Sequence, residues 1–392
     1  MPFFSFILKS QSNKELVNKI KKFHKTPDIK KKYFSKNTQL WKILNNKKNY
    51  NHLDYIKVEK RKKLIKIKNN ILFCLPPNIG LGDAIEYAFA IKSVVEKKNK
   101  FSNYGIAFVG KYKIVFKKYF GLINVYDEVI SEKEILKYDT IFHFTLEIDE
   151  LKFQKYNRLN IENIIINFFG TNKFRFNKNL NENEFNKTIT IFPVSKSPIR
   201  TMPTNLLNDI IKSFSNDYKI EIVLDDELIS KYVKDNIHIN NNCKLIIPEN
   251  LNRLCQKVRN TKFGIFMDSG PLHLAKIFNI KGILILSSVN ENILLDDFKS
   301  IKSIKGNYKS EFCNGPCGLT NAFNYKNEIG CYDSLKIKKD FIFNLNSFKE
   351  LQRGKLKKNY INLIRSGINC LKHIDNEEVI KLIKKTIDKK NE

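Results

Sequence analysis

The stretch Asp268-Ser269-Gly270-Pro271-Leu272-His273 gathers an acid, a hydroxyl, a glycine and an imidazole between an apolar strand and a helix. Gly270 allows a ligand to approach the backbone closely, and Pro271 suits a first helical turn, where its missing N–H has no partner to lose. Asp268 and Ser269 stand where a ribose, a sugar or a phosphate would exchange hydrogen bonds with them. His273 falls near the positive end of the helix. The same residues also make a respectable cap, with His273 bonded to a loop carbonyl, so this turn taken alone leaves both uses open.

Three further turns carry comparable residues. Gly80-Leu81-Gly82-Asp83 joins a strand to a helix, and its glycines admit a ligand to the unpaired N–H groups of that helix. It is not a dinucleotide fingerprint, because Ile85 stands at the third glycine position, and it lacks the Lys and Ser/Thr of a Walker A loop. Capping is the commonest use of an acid at Asp83. Ser195, Lys196 and Arg200 follow the strand "TITIFPV", placed to neutralise a diphosphate. Lys196 is ordinary surface in a chain this rich in lysine, whereas Arg200 is a scarcer type. Leu224-Asp225-Asp226-Glu227 ends another strand. Asp-x-Asp and His-Glu-x-x-His are both absent, so a site without metal is expected. Cys313, Cys317, Cys331 and Cys370 could make a four-thiolate zinc site, but only the first pair has compact spacing and free thiols are the expectation.

The elements that position these turns alternate. "ILFCL" from Ile71 reads as a buried strand, and the helix over 84–97 aligns Ala84, Tyr87, Ala88, Ile91, Val94 and Val95 on one face. "YGIAFVG" and "TIFHFTL" are further strands. Polar residues 173–187 read as a linker. Beyond it, "TITIFPV", "IEIVL", "FGIFM" and "GILIL" are strands separated by helices at Leu206–Phe214, Leu251–Val258 and Leu272–Phe278. Such alternation predicts an α/β fold of two Rossmann-like domains with parallel sheets facing across a cleft, and ligands at the carboxyl ends of the strands. The expected division is a basic, mostly helical extension over 1–70, an N-terminal Rossmann-like domain over 71–172, the linker, a C-terminal Rossmann-like domain over 188–345 and C-terminal helices over 346–392.

Composition narrows the partners. In 392 residues, 70 Lys+Arg against 40 Asp+Glu give a formal net charge of +30, which favours an anionic partner. Lys, Asn and Ile recur along the whole chain, so solvated surface accounts for the charge equally well. No aromatic-basic motif points to specific nucleic-acid binding. The start "MPFFSFILKS" makes a poor signal peptide, no apolar run is long enough to span a bilayer, and seven scattered cysteines do not form a secreted disulfide framework. A cytoplasmic protein, able to rest peripherally on the membrane's inner face, is expected. The amphipathic stretch with Leu16, Ile20 and Phe23 fits packing on its own domain better than membrane contact.

In order and approximate spacing these turns resemble glycosyltransferase family 9, the bacterial ADP-heptose:lipopolysaccharide heptosyltransferases and their relatives. The likeness covers about residues 71 to 385. "DSGPLHLAKIFNIKGILIL" is similar to the family's Asp-Thr/Ser-Gly-x-x-His-Leu-Ala segment, and "GLGDAIEYAFAIKSV" to its N-terminal Gly-Asp loop and helix. "IRTMP" resembles its Lys/Arg-x-Trp-Pro stretch with Met202 in place of Trp, and "CLKHIDNEEVIKLI" its last Cys-Leu segment. The resemblance implies a GT-B fold, an ADP-type nucleotide-sugar as substrate with no cofactor, and a glycolipid or oligosaccharide acceptor. It implies Asp83 as the base that deprotonates the acceptor hydroxyl, flanked by Gly80 and Gly82. Arg200, with Ser195 and Lys196, would meet the donor phosphates, and Glu227 the ribose. Asp268 would hold the sugar, with Ser269, Gly270 and His273 around the diphosphate. Two other classes stay in view: a basic α/β protein that binds nucleic acid or anionic membrane without catalysis, and a nucleotide-sugar epimerase.

Overall fold

Short runs rich in Ile, Phe and Val, each followed by a turn and an amphipathic helix, fold here as parallel strands with crossover helices. The computed structural model describes residues 54–57, 70–75, 79–97, 103–108, 111–126, 134, 137–144, 160–176, 187–195, 198–225, 228–308 and 365–388. These fall into two compact units, one ending at Arg175 and one beginning at Phe176.

The first unit holds five parallel strands: β1 (Asp54–Lys57), β2 (Asn70–Cys74), β3 (Asn103–Ala107), β4 (Val125–Tyr126) and β5 (Thr140–His143), in the order β1-β5-β2-β3-β4. β1 lies within the segment expected to be a mostly helical extension, where it pairs with β5 along its whole length; the rest of that segment up to residue 69 lies outside the described residues. The alternation of β1 is too short to show as a period in sequence.

Helix α1 (Leu81–Lys97) follows β2 and packs on α2 (Ile161–Phe169). Besides the expected face, Ile85, Phe89 and Ala90 are buried, so α1 is covered on more than one side. Glu86, 5% exposed, survives there because its carboxylate accepts the Ile161 N–H at 3.1 Å, capping α2 from a neighbouring helix. Phe73, Phe142, Phe144 and Phe169 form the aromatic centre, with ring centroids 4.8–6.0 Å apart.

The second unit carries six parallel strands: β6 (Thr188–Phe192), β7 (Lys219–Val223), β8 (Cys243–Ile246), β9 (Phe263–Phe266), β10 (Lys281–Leu286) and β11 (Ile301–Lys305). Their order is β11-β10-β9-β6-β7-β8. Helices α3 (Thr204–Phe214), α4 (Leu228–Asp235), α5 (Leu251–Arg259), α6 (Gly270–Ile277) and α7 (Glu291–Leu294) connect them in turn. Near the C-terminus α8 (Asn369–Lys372) precedes α9 (Asn376–Asp388), which packs by α3 and β10.

The chain lays down β6, β7 and β8 in one direction and then returns to place β9 on the other side of β6. That reversal opens a crevice between the loops after β6 and β9, the place where ligands bind such sheets. A glycine pair shapes the strands below it. Gly264 and Gly282 are partners across β9 and β10, and a Cβ on Gly264 would meet the Phe266 ring at 2.2 Å. The ring is free to stack on Phe192, 5.2 Å away and nearly parallel to it, at the strand ends below the crevice. With two all-parallel sheets and connecting helices, the fold class is the α/β one expected.

Candidate functional site

Strand register fixes what stands at the carboxyl edge of the second sheet. Phe266 is level with Phe192 on one side and Leu284 on the other, while Leu286 is level with Lys305. Two residues on, Val194 and Asp268 therefore stand in adjacent loops level with Leu286 at the end of β10, and Asp225 stands in the loop beyond β6.

At the crevice, two of the sequence-selected residues meet. The Arg200 Nη1 donates to the Asp268 carbonyl oxygen at 2.9 Å and lies 3.3 Å from its Oδ1. Side-chain exposures of 16% and 5% make this a largely dehydrated pair. It is not saturated. The Arg200 Nε and the Asp268 Oδ2 are both buried without a hydrogen-bond partner among the described residues. Native interiors rarely leave such groups unpaired, because each costs on the order of 1–3 kcal/mol. Their presence on facing residues at the switch point marks a place built for a polar ligand.

Arg200 reaches Asp268 from a single turn of 3-10 helix, Pro198–Arg200. That turn is pinned from both sides. Met202 N–H donates to the Pro193 carbonyl at 2.8 Å, and Thr201 Oγ1 accepts the Ser195 N–H at 3.3 Å. Ser195, Thr201 and Met202 are buried. Met202, where the resembled family carries Trp, is wholly enclosed.

Beyond Asp268, Ser269 is the N-cap of α6 but caps nothing with its side chain, which instead donates to the Met267 carbonyl at 3.4 Å. The N–H groups at the start of α6 thus have no side-chain cap, and Gly270 keeps the approach to them clear. His273 is buried in the first turn of α6. Asp225 is engaged locally, accepting the Ser230 hydroxyl at 2.5 Å. Lys196 and Glu227 lie outside the described residues, as do Cys313, Cys317 and Cys331. Cys370 is buried, and no group of three or more His, Cys, Asp or Glu that could hold a metal occurs among the described residues.

In the first unit, Gly80 and Gly82 flank the start of α1, and the Asp83 Oδ2 accepts the Gly80 N–H at 3.3 Å. The capping role is therefore real, played from the third residue of α1 back onto the N–H that precedes the helix. Capping leaves room for more, since a carboxylate has two oxygens and Asp83 is not buried. Tyr112 and Lys111 lie nearby. Burial raises the Tyr112 phenol above its ordinary value, with Lys111 pulling it down and Asp83 pushing it up.

One contributor escaped sequence reasoning: Thr201 holds the turn under Arg200. Outside the crevice, Ser287, just past β10, is buried and its hydroxyl has no partner among the described residues. A signal existed for Ser287, because "SSVN" follows an apolar strand, the same position that singled out Asp268.

The fold and site thus define an α/β protein with a ligand crevice at the switch point of its second parallel sheet. No family model and no curated protein matches the chain. Among solved structures it is similar to E. coli heptosyltransferase WaaC with ADP, at 9% identity over 61% of this chain and 93% of that one, with a TM-score of 0.44. It is similar also to a glycosyl transferase family 9 structure from Veillonella parvula, at 11% identity over 65% and 95%, TM-score 0.46. A third is the iron-containing dodecameric glycosyltransferase TibC from enterotoxigenic E. coli, at 13% identity over 83% and 81%, TM-score 0.46.

Proposed function

We infer that this chain is an inverting glycosyltransferase that moves a sugar, heptose or similar, from an ADP-type nucleotide-sugar to a lipopolysaccharide or other surface-glycan acceptor. The observation that carries the reading is the Arg200–Asp268 pair at the switch point, with one buried, unpartnered polar atom on each partner. A nucleotide-sugar satisfies both, since a phosphate oxygen accepts from Arg200 Nε and a hydroxyl donates to Asp268 Oδ2.

In this reading the donor's diphosphate rests on the start of α6, where uncapped N–H groups and the positive end of the helix favour negative charge. Lys196 adds charge there, and Glu227 takes the ribose. Asp83 removes the proton from the acceptor hydroxyl as its oxygen bonds the anomeric carbon. The bond from that carbon to the diphosphate breaks, and the nucleoside diphosphate leaves with the electron pair. Attack opposite the leaving group inverts the anomeric centre. General-base assistance of this kind contributes about 10²–10⁴-fold, and stabilising the leaving diphosphate on fixed donors supplies a further large share. Family-9-like turns in both halves support the reading, as does the net charge of +30, which suits an anionic glycolipid at the cytoplasmic membrane face.

The test is thermal stability of the wild-type and Asp268→Asn proteins with ADP, UDP, GDP and CMP. A ligand that binds only the folded state adds about 2.7 kcal/mol at a hundredfold excess over its dissociation constant. Selective stabilisation by ADP, weakened in Asp268→Asn, is expected. A response to another nucleotide alone would replace the donor class. No response, with salt-sensitive polyanion binding instead, would favour a non-catalytic binding protein.

A further inference from the structure

One cavity of the second unit has no part in the site described above. It encloses about 520 Å³ at the carboxyl ends of β10 and β11, within the range of small-molecule pockets. Ser287, Asn290, Glu291, Lys305, Asn307 and Tyr308 line it, with Cys370 of α8 at one wall. Gly306 lets that wall close, since a Cβ there would meet the Cys370 carbonyl oxygen at 2.3 Å.

The chemistry of the lining selects a ligand class. One lysine and one glutamate cancel in charge, so neither an anion nor a cation is favoured. Amides and hydroxyls supply donors and acceptors together, as a polyol requires. Tyr308 offers an aromatic face whose position is fixed, because its hydroxyl accepts from Asn369 Nδ2 at 2.9 Å and its ring packs 4.7 Å from that of His373. Ser287 is the independent sign that something binds. It is only 6% exposed, and its Oγ has no hydrogen-bond partner among the described residues. With no bond holding its rotamer, that hydroxyl is free to turn onto a ligand.

Position gives the ligand's identity. Along the edge of the sheet the loops run β7, β6, β9, β10, β11, one strand spacing of about 4.8 Å apart. With the ribose at the β7 loop and the diphosphate between β6 and β9, the next loop in the same direction is that of Ser287. We propose that this cavity receives the glycosyl part of the donor and reads its hydroxyls, which makes it the determinant of which sugar is used. The proposal rests on the donor reading above.

Calorimetric titration of the full-length protein with ADP, ADP-glucose and ADP-heptose tests it, on wild type, Ser287→Ala and the exposed-site variant Asn307→Ala. At least one ADP-sugar is expected to bind wild type more tightly than ADP. Both variants should lose about three- to tenfold of that sugar's affinity while binding ADP unchanged. The melting temperature of unliganded Ser287→Ala should equal or exceed that of wild type, because the hydroxyl removed has no partner among the described residues. Sugar nucleotides that bind no better than ADP, or variants that keep full affinity for them, would overturn the proposal and leave the donor reading standing. Failure of wild type to bind ADP at all would remove the donor reading itself, and the proposal with it.

Discussion

Arg200 and Asp268 are separated by 68 residues, and each was picked from sequence for its own turn. What the sequence could not give was their union, because β6 and β9 become neighbours only through the sheet order. The pairing sets a prediction. Arg200→Ala strands a carboxylate that is 5% exposed, and breaking a buried pair from one side costs about 3–5 kcal/mol. Arg200→Met combined with Asp268→Asn should recover most of that loss in denaturant melts, yet still fail to bind ADP in titration. If the double variant is as unstable as Arg200→Ala, the pair is not what holds this corner of the fold. Asp83 is the opposite case. Its cap bond to Gly80 is local and was readable from sequence, while a role in proton transfer adds a demand that stability does not register. Asp83→Asn keeps an oxygen for the cap, so its melting temperature should stay within a degree or two of wild type. Transfer should fall at least about a hundredfold with ADP affinity unchanged, read by initial rates and titration. Equal rates in both proteins would reduce Asp83 to a cap.

At the level of elements, legibility followed burial. β2, β6, β9 and β10 are buried almost throughout, and their apolar runs announced them. β8 and β11 lie at the two edges of their sheet, are half-covered, and carry lysines among their few apolar residues. An edge strand with one neighbour needs no continuous apolar run, so "CKLI" and "IKSIK" carry no such run to mark them as strands. The same burial that makes β2 legible makes it sensitive to alkali. Cys74, at 0% exposure, has its thiol pushed far above the ordinary value of 9.0 by loss of solvent. The folded state keeps the proton, while the unfolded chain releases it once the pH passes 9.0. This contribution to stability is therefore whole below that pH and is lost progressively above it. Cys74→Ala should melt lower than wild type at pH 7, and the difference should shrink as pH is raised from about 8.5 to 10.5. A constant difference across that range would mean the thiol is not what the fold keeps protonated.

For the whole molecule, the sequence told how many sheets to expect and which way their strands run, because strand-helix alternation on either side of a polar stretch admits few alternatives. It did not tell where charge matters, since lysines are spread along the entire chain. The division into two units supplies a sharper discrimination than charge does. Arg200, Asp268, Ser269 and the start of α6 all belong to the second unit, while Gly80, Gly82 and Asp83 belong to the first. A donor held as proposed must therefore leave its mark on one unit. Hydrogen exchange of the full chain, with and without saturating ADP, measures this directly, because amides that gain a ligand or lose a local opening exchange more slowly. Protection is expected over 194–202 and 267–274, strongest at the first amides of α6, and none over 79–85 with ADP alone. Protection confined to 79–85 would move the nucleotide to the start of α1 and exchange the roles given to the two glycine turns.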